Sequence, residues 1–271
     1  MVQPVKKEVT MLSISSINYS VGKKQILHDV SANFLPGTFN MIMGQNGSGK
    51  SSFLKIFSGE IDSYTGNVLY NNQPIQSYKK SELAKIRAVM SQQPELSFPL
   101  TVEEVVMMGR YPHFDFQPSQ KDKKICEEVM SRMRLENFKE RNYLTLSGGE
   151  KQRVQYARVL SQIWESKNSA RYLFLDEPLN NLDIAYQQEF LEIATELKTT
   201  ETILVAVMHD INLAAQFGDQ LFFMKDGKMA ATGKPAVILT ETLIEQIFGV
   251  KTTLINNPVS ALPLVVFNTI H

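Results

Sequence analysis

The chain has 271 residues, 43% of them hydrophobic, enough for one sizeable core with room for an inserted lobe. Its 28 Lys and Arg are balanced by 28 Asp and Glu, which leaves none of the basic excess of a nucleic-acid binder. Cys126 is the single cysteine, which excludes an internal disulfide and points to a reducing compartment.

In chain order, MLSISSINYS and QILHDVSANF alternate loosely between apolar and polar, as antiparallel strands do. FNMIM (39–43) reads as a buried strand. It runs into GQNGSGKS (44–51), which fits G-x-x-x-x-G-K-[ST]. A helix, SSFLKIFS, follows and is stopped by Gly59. Backbone N–H groups must converge on phosphate oxygens there, and glycines keep side chains out of the way. Lys50 reaches the β- and γ-phosphates in such a loop and Ser51 ligates Mg²⁺. The loop alone leaves kinase, GTPase and ATPase open.

The segment from about 94 to 164 is helix-rich, with amphipathic stretches at 101–108 and 121–134 and Thr101 as a helix N-cap. The runs YKKSE and KDKK read as solvated surface. At the end of this lobe stands LSGGEKQRVQYARVLSQIW (146–164), a helix that starts on two glycines. Glycine costs about 1 kcal/mol relative to alanine inside a helix, so its use here needs a reason. Ser147-Gly148-Gly149-Glu150 fits a capping box, with Ser147 as N-cap and Glu150 reaching back. The glycines leave space for an anion at the helix start. Val154, Ala157, Leu160 and Trp164 form the expected buried stripe.

RYLFL (171–175) and TILVAVM (202–208) are near-continuous apolar runs, as parallel strands covered on both faces are. Polar residues follow each, DEP and HD, at the carboxyl ends where α/β sheets bind ligands. Asp176 suits the Mg²⁺ shell of a P-loop NTPase, and Glu177 suits a base or water-orienting group for attack on the γ-phosphate. FFMKDGKMAATG carries Asp226-Gly227, a hairpin turn signal. No run approaches the 18 or more apolar residues of a membrane span, and MVQPVKKEVT has no apolar signal region, so a cytoplasmic protein is expected.

Taken together, GQNGSGKSS, MSQQP, LSGGEKQR, YLFLDEP, NNLD and VMHD resemble the motifs of the nucleotide-binding subunit of ATP-binding cassette transporters, in the same order and with similar spacing. The resemblance covers nearly the whole chain. It implies a P-loop NTPase (RecA-like) α/β core, about residues 1–93 and 165–271, with an N-terminal antiparallel β subdomain and an inserted α-helical subdomain at about 94–164. It implies that Gly44, Gln45, Asn46, Gly47, Ser48, Gly49, Lys50, Ser51 and Ser52 bind ATP, and that Tyr19 stacks on adenine. Gln92 becomes the Q-loop glutamine, with Gln93 ranked second, and joins Ser51 and Asp176 at Mg²⁺. His209 contacts the γ-phosphate, and Asp183 belongs to the D-loop. The signature of one copy, Ser147 to Glu150, closes on the nucleotide held by a second copy, so two chains make two shared sites.

The stretch TVEEVVMMGRYPH resembles ATPases of importers for haem, ferric siderophores and cobalamin, and RVQYARVLSQIWESKNSARYLFLDEP resembles the haem importers among them. DEPLNNLD departs from the more usual DEPTSALD and is closer to siderophore-type relatives. The implied function is an ATPase powering haem import at the cytoplasmic face of the inner membrane. Its partners would be two permease subunits and, indirectly, a periplasmic binding protein, with no nucleic acid and no direct contact with cargo. Met107, Met108 and Tyr111 either contact a permease helix or are buried within the lobe. His113, His28 and His271 read as satisfied or exposed side chains rather than haem ligands. A ferric-siderophore or cobalamin ATPase is the alternative. A soluble cassette ATPase lacks support, because the chain has neither a coiled-coil insertion nor a second cassette, and LSGGE and VMHD argue against a P-loop kinase.

Overall fold

Loose alternation in the first third and continuous apolar runs in the second half give two kinds of sheet. The computed structural model describes residues 11–91, 96–164, 170–180, 182–260 and 262–268. The described residues open with β1 (Leu12–Val21), β2 (Lys24–Phe34), β3 (Thr38–Met43) and α1 (Lys50–Phe57). β4 (Thr65–Tyr70), β5 (Gln73–Pro74), α2 (Lys80–Ile86) and β6 (Arg87–Met90) follow. Next come three helices, α3 (Val102–Met107), α4 (Gln120–Arg132) and α5 (Gly148–Ile163). The chain then alternates through β7 (Arg171–Asp176), α6 (Ile184–Glu196), β8 (Thr202–Val207) and α7 (Ile211–Phe217). It closes with β9 (Gln220–Lys225), β10 (Lys228–Gly233), α8 (Pro235–Ile238), α9 (Glu241–Phe248), β11 (Thr252–Asn256) and β12 (Pro263–Phe267).

The central sheet has the order β10-β9-β3-β8-β7-β6, parallel except for β10 at one edge. Every residue of β7 and β8 is buried. Their side chains divide by the two-residue strand period. Leu173 and Leu175 pack on the side of α3, α4 and α5, while Tyr172 and Phe174 pack with β1, β2 and α1. The second sheet, β2-β1-β4-β5, is antiparallel throughout.

The three expected core strands form within a residue of their expected limits. β6 is an addition: its four residues, Arg87–Met90, are too short and too mixed to stand out, and they become a strand by pairing with β7. The expected hairpin forms at Asp226 and Gly227, with φ of 48° and 72°, the paired left-handed conformation of a two-residue turn. Thr101 caps α3 as expected, accepting from the Glu104 N–H at 3.2 Å. α4 ends two residues short of Arg134, which takes a left-handed φ of 52°. Val154, Ala157 and Leu160 of α5 are fully buried. Trp164 departs from that stripe: it is half-buried, because its indole N–H turns outward to Glu128 Oε2 at 3.1 Å. Among the described residues, no helix is long and apolar enough to cross a membrane.

Candidate functional site

The loop between β3 and α1 wraps the start of α1. Gly49 caps that helix with φ 98°, and a Cβ there would stand 2.6 Å from Leu27 Cδ2. Gly44, with φ 148°, passes so close to Met224 that a Cβ would run into its carbonyl oxygen. Only glycine fits either position. The hairpin at Asp226-Gly227 braces the loop from behind, since Gly227 N–H donates to Ser48 O at 3.2 Å. The first turn of α1 carries no acidic side chain, so nothing on the helix competes with an incoming anion.

Lys50 lies buried along this loop, its Nζ donating to Gly44 O at 2.9 Å and Gln45 O at 3.0 Å. Burial holds its pKa below the ordinary lysine value, opposed by the nearby Glu177 and Asp176 carboxylates. Ser51 donates from Oγ to Asp176 Oδ1 at 3.0 Å, joining the loop to the end of β7. Burial pushes the Asp176 carboxyl up, the Ser51 hydrogen bond works the other way, and Glu177 adds to the rise. A hydroxyl and one carboxylate are what Mg²⁺ takes from protein when phosphates and waters supply the rest, and a cation there would offset the burial of Asp176. Among the described residues there is no cluster of three His, Cys, Asp or Glu side chains able to hold a metal by themselves.

The two acids at the end of β7 part company. Glu177 takes a left-handed φ of 52° while its N–H donates to Val207 O at 3.2 Å. Its Oε1 is 2.6 Å from His209 Nε2, and its Oε2 accepts from Asn180 Nδ2 at 2.9 Å. Burial opposes the charged form of Glu177, but the hydrogen bonds from His209 and Asn180 outweigh it and hold the carboxyl below its ordinary value. Asp183 caps α6, accepting from Tyr186 N–H at 3.0 Å.

Of the residues expected at the site, Asn46, Gly47, Gly49, Lys50, Ser51, Ser52, Glu177 and His209 line one cleft of about 470 Å³. That is a size typical of small-molecule sites. Gly44, Gln45 and Ser48 complete the loop, and Asp176 stands behind Ser51. Tyr19 is half-buried on β1, across from Leu27, and is not among the cleft-lining residues; Lys24 and Ile26 of β2 are. Gln92, with Gln93, lies outside the described residues, as do most of ESKNSA, Asn181 and His271. Met107 is half-buried, its Sδ 3.8 Å from Cys126 Sγ, and Met108 is half-buried as well, whereas Tyr111 is 57% exposed. His113 Nε2 is engaged by Gln162 O at 2.8 Å.

Ser147 begins α5 as a capping box: its Oγ accepts from Glu150 N–H at 3.3 Å, and Glu150 Oε2 accepts from Ser147 N–H at 2.7 Å. Neither they nor Gly148 and Gly149 lie on the cleft. One link, from a residue of LSGGEKQR whose partner the sequence does not name, joins the two regions. Gln152 Nε2 donates to Pro178 O at 2.9 Å, beside Glu177. Asn180 opens the NNLD motif with no role assigned to it there, and Lys24 and Ile26 lie outside every motif; the alternation of β2 outward from its turn is a signal that could have placed Ile26.

Residues 27–180 match the family model described as ABC transporter. The hemin import ATP-binding protein HmuV of Gloeobacter violaceus is 41% identical over 257 residues, covering 94% of each chain. The protein of the same name from Escherichia coli O157:H7 is 36% identical, covering 95% of this chain and 100% of that one. A solved chain of a metal-chelate type ABC transporter in an inward-facing conformation superposes with a TM-score of 0.78 over 97% of this chain and 98% of that one; at 21% identity it shows the fold alone. A dimeric ATP-binding cassette in a post-hydrolysis state, bound to ADP and phosphate, is 28% identical with a TM-score of 0.70, covering 82% and 98%.

Proposed function

The chain belongs to the ABC transporter family and is an ATPase of that family, and from that premise we propose that it hydrolyses ATP to drive haem import through a membrane permease. The ATPase reading is carried by one arrangement: Lys50, Ser51, Glu177 and His209 face a single cleft at the carboxyl ends of β3, β7 and β8. The haem reading rests on the full-length likeness to the hemin import ATP-binding proteins.

The roles follow from chemistry. The loop N–H groups and the α1 start bind the triphosphate, and Lys50 leaves the loop carbonyls to meet it. Ser51 and Asp176 would hold Mg²⁺, with Gln92 as a third ligand; the ion would neutralise charge on the β- and γ-phosphates. Glu177 orients the attacking water and takes its proton, and His209 turns from Glu177 toward the γ-phosphate. Tyr19 would stack on adenine, although Lys24 and Ile26, and not Tyr19, line the cleft. Because phosphoryl transfer depends mainly on positioning and charge stabilisation, a site lacking its second anion-facing wall is incomplete.

That wall is the Ser147 to Glu150 segment of a second copy, with Asp183 at the seam, giving two sites related by a two-fold axis. A helical lobe at about 94–164, with exposed Tyr111, would meet the two permease subunits at the inner face of the membrane, leaving the chain peripheral and the cargo out of contact. A periplasmic binding protein would act only through the permease.

The cargo is tested with the chain and its cognate permease in lipid vesicles. ATP hydrolysis should rise with haem-loaded binding protein and stay basal with ferric-siderophore or cobalamin. A rise with either of the latter and none with haem assigns a different cargo.

A further inference from the structure

We propose that Asn180 is a positioning residue that holds the Glu177 carboxylate in the plane from which it addresses water; this rests on the reading of Glu177 as the base. Glu177 is unusual in two respects. Its backbone is left-handed at φ 52°, a conformation that costs a non-glycine residue about 1–3 kcal/mol and is kept where the surroundings over-determine it. Its side chain, which has three rotatable bonds, is gripped at both oxygens, by His209 on Oε1 and Asn180 on Oε2. Asn180 also donates its own N–H to Glu177 O at 3.4 Å, so residues 177–180 close a turn. That turn is what brings an amide three residues downstream onto the carboxylate.

The two grips differ in permanence. The His209 side chain is 43% exposed and faces the cleft, where it is free to swing to a phosphate. When it does, its contact with Oε1 is given up. Asn180 is outside the cleft lining and stands on the wall of a second cavity of about 140 Å³, which Glu177 and His209 line too, with Gln187, Asp210 and Leu213. Its amide is held against the carboxylate by the 177–180 turn and not by the cleft, so it keeps Oε2 when His209 swings away. A neutral amide suits this role, because it donates to a carboxylate without exchanging a proton with it. Among the charged groups near Glu177, Lys50 donates to Gly44 O and Gln45 O, Asp176 accepts from Ser51, and Asp210 shares the cavity wall.

The test compares Asn180→Ala and the isosteric Asn180→Asp, which keeps the shape and loses the N–H donor. In the full chain with its permease, both should lower kcat roughly tenfold, as loss of a hydrogen bond to a charged group does, with the KM for ATP within about twofold of wild type. In a Glu177→Ala background, where there is no carboxylate to hold, Asn180→Ala should leave the residual single-turnover rate unchanged. An equal loss in both backgrounds, or a raised KM with kcat intact, overturns the proposal and makes Asn180 a part of the turn only. If Glu177→Gln turns over at the wild-type rate, the base reading itself fails. If Glu177→Gln is inactive while both Asn180 variants match wild type, the positioning role alone fails.

Discussion

Gln152 donates its side-chain amide to Pro178 O at 2.9 Å, so the helix that starts at Ser147 is tied to the residue beside Glu177. The anion-facing helix start and the acid at the end of β7 thus move as neighbours within one chain, although in the proposed dimer they serve different nucleotides. In the proposed dimer, this bond would pass a shift of α5 on meeting the partner's nucleotide to the turn carrying Glu177. Gln152→Leu removes the bond at similar volume. A neutral hydrogen bond contributes about 1 kcal/mol net, so kcat should fall roughly fivefold with ATP affinity unchanged. Steady-state hydrolysis and equilibrium nucleotide binding check this; wild-type kcat would remove Gln152 from the coupling.

Glu177→Gln should bind ATP and pair with a second copy while hydrolysing roughly 10²–10⁴-fold more slowly, the scale of a lost general base. The amide keeps the shape that His209 and Asn180 grip, so the loss is chemical rather than structural. Wild-type turnover in this variant would falsify the assignment of Glu177.

Ser147→Arg puts a long side chain where the partner's phosphate must approach. It should retain ATP binding and lose hydrolysis, because Ser147 is not on the cleft of its own chain. Ser147→Ala separates the cap from the approach: it loses about 1 kcal/mol of helix capping and should keep most of its turnover. Failure of Ser147→Arg to bind ATP would place Ser147 in the primary pocket.

Stability should depend on pH through Asp122. It is buried beneath Arg110, with Oδ1 3.0 Å from the guanidinium Nε, and Oδ2 accepts from Ser119 N–H at 2.9 Å. Burial opposes its charge, but the hydrogen bonds from Ser119 and Arg110 prevail and hold its carboxyl below the usual 3.8. A depressed folded value means a contribution present above 3.8 and lost as pH falls through the folded value. Asp122→Asn should therefore unfold at lower temperature than wild type at pH 7, with the gap narrowing below pH 3.8. A gap that is constant through the acid range contradicts this.

What the sequence carries, and what it does not, divides on locality. The phosphate loop is legible because its function needs glycines at fixed spacing, and Gly44 and Gly49 occupy the positions where a Cβ cannot fit. The capping box at Ser147 is legible because both its partners lie within four residues. β6 is not, since Arg87–Met90 gain their extended form from β7, more than eighty residues away. Gln152 and Asn180 stand inside the LSGGEKQR and NNLD motifs, but nothing in the sequence names their partners. Their partners are fixed by how α5 and the turn after β7 pack, and a lone glutamine on a helix or asparagine in a turn is usually solvated. For Tyr19 the family spacing gives an adenine role, while Lys24 and Ile26, carried round by the β1–β2 turn, are the β-sheet residues that line the cleft.

Each active site is proposed to be built from two copies, and mixing inactive variants tests this directly. Glu177→Gln and Ser147→Arg chains, each silent alone, should regain hydrolysis when combined. In a mixed pair the loop and Glu177 of the Ser147→Arg copy meet the unaltered signature of the Glu177→Gln copy, restoring one whole site of two. With random pairing roughly a quarter of wild-type turnover should return. Mixtures that pair and bind ATP but remain as silent as the separate variants would contradict a shared site.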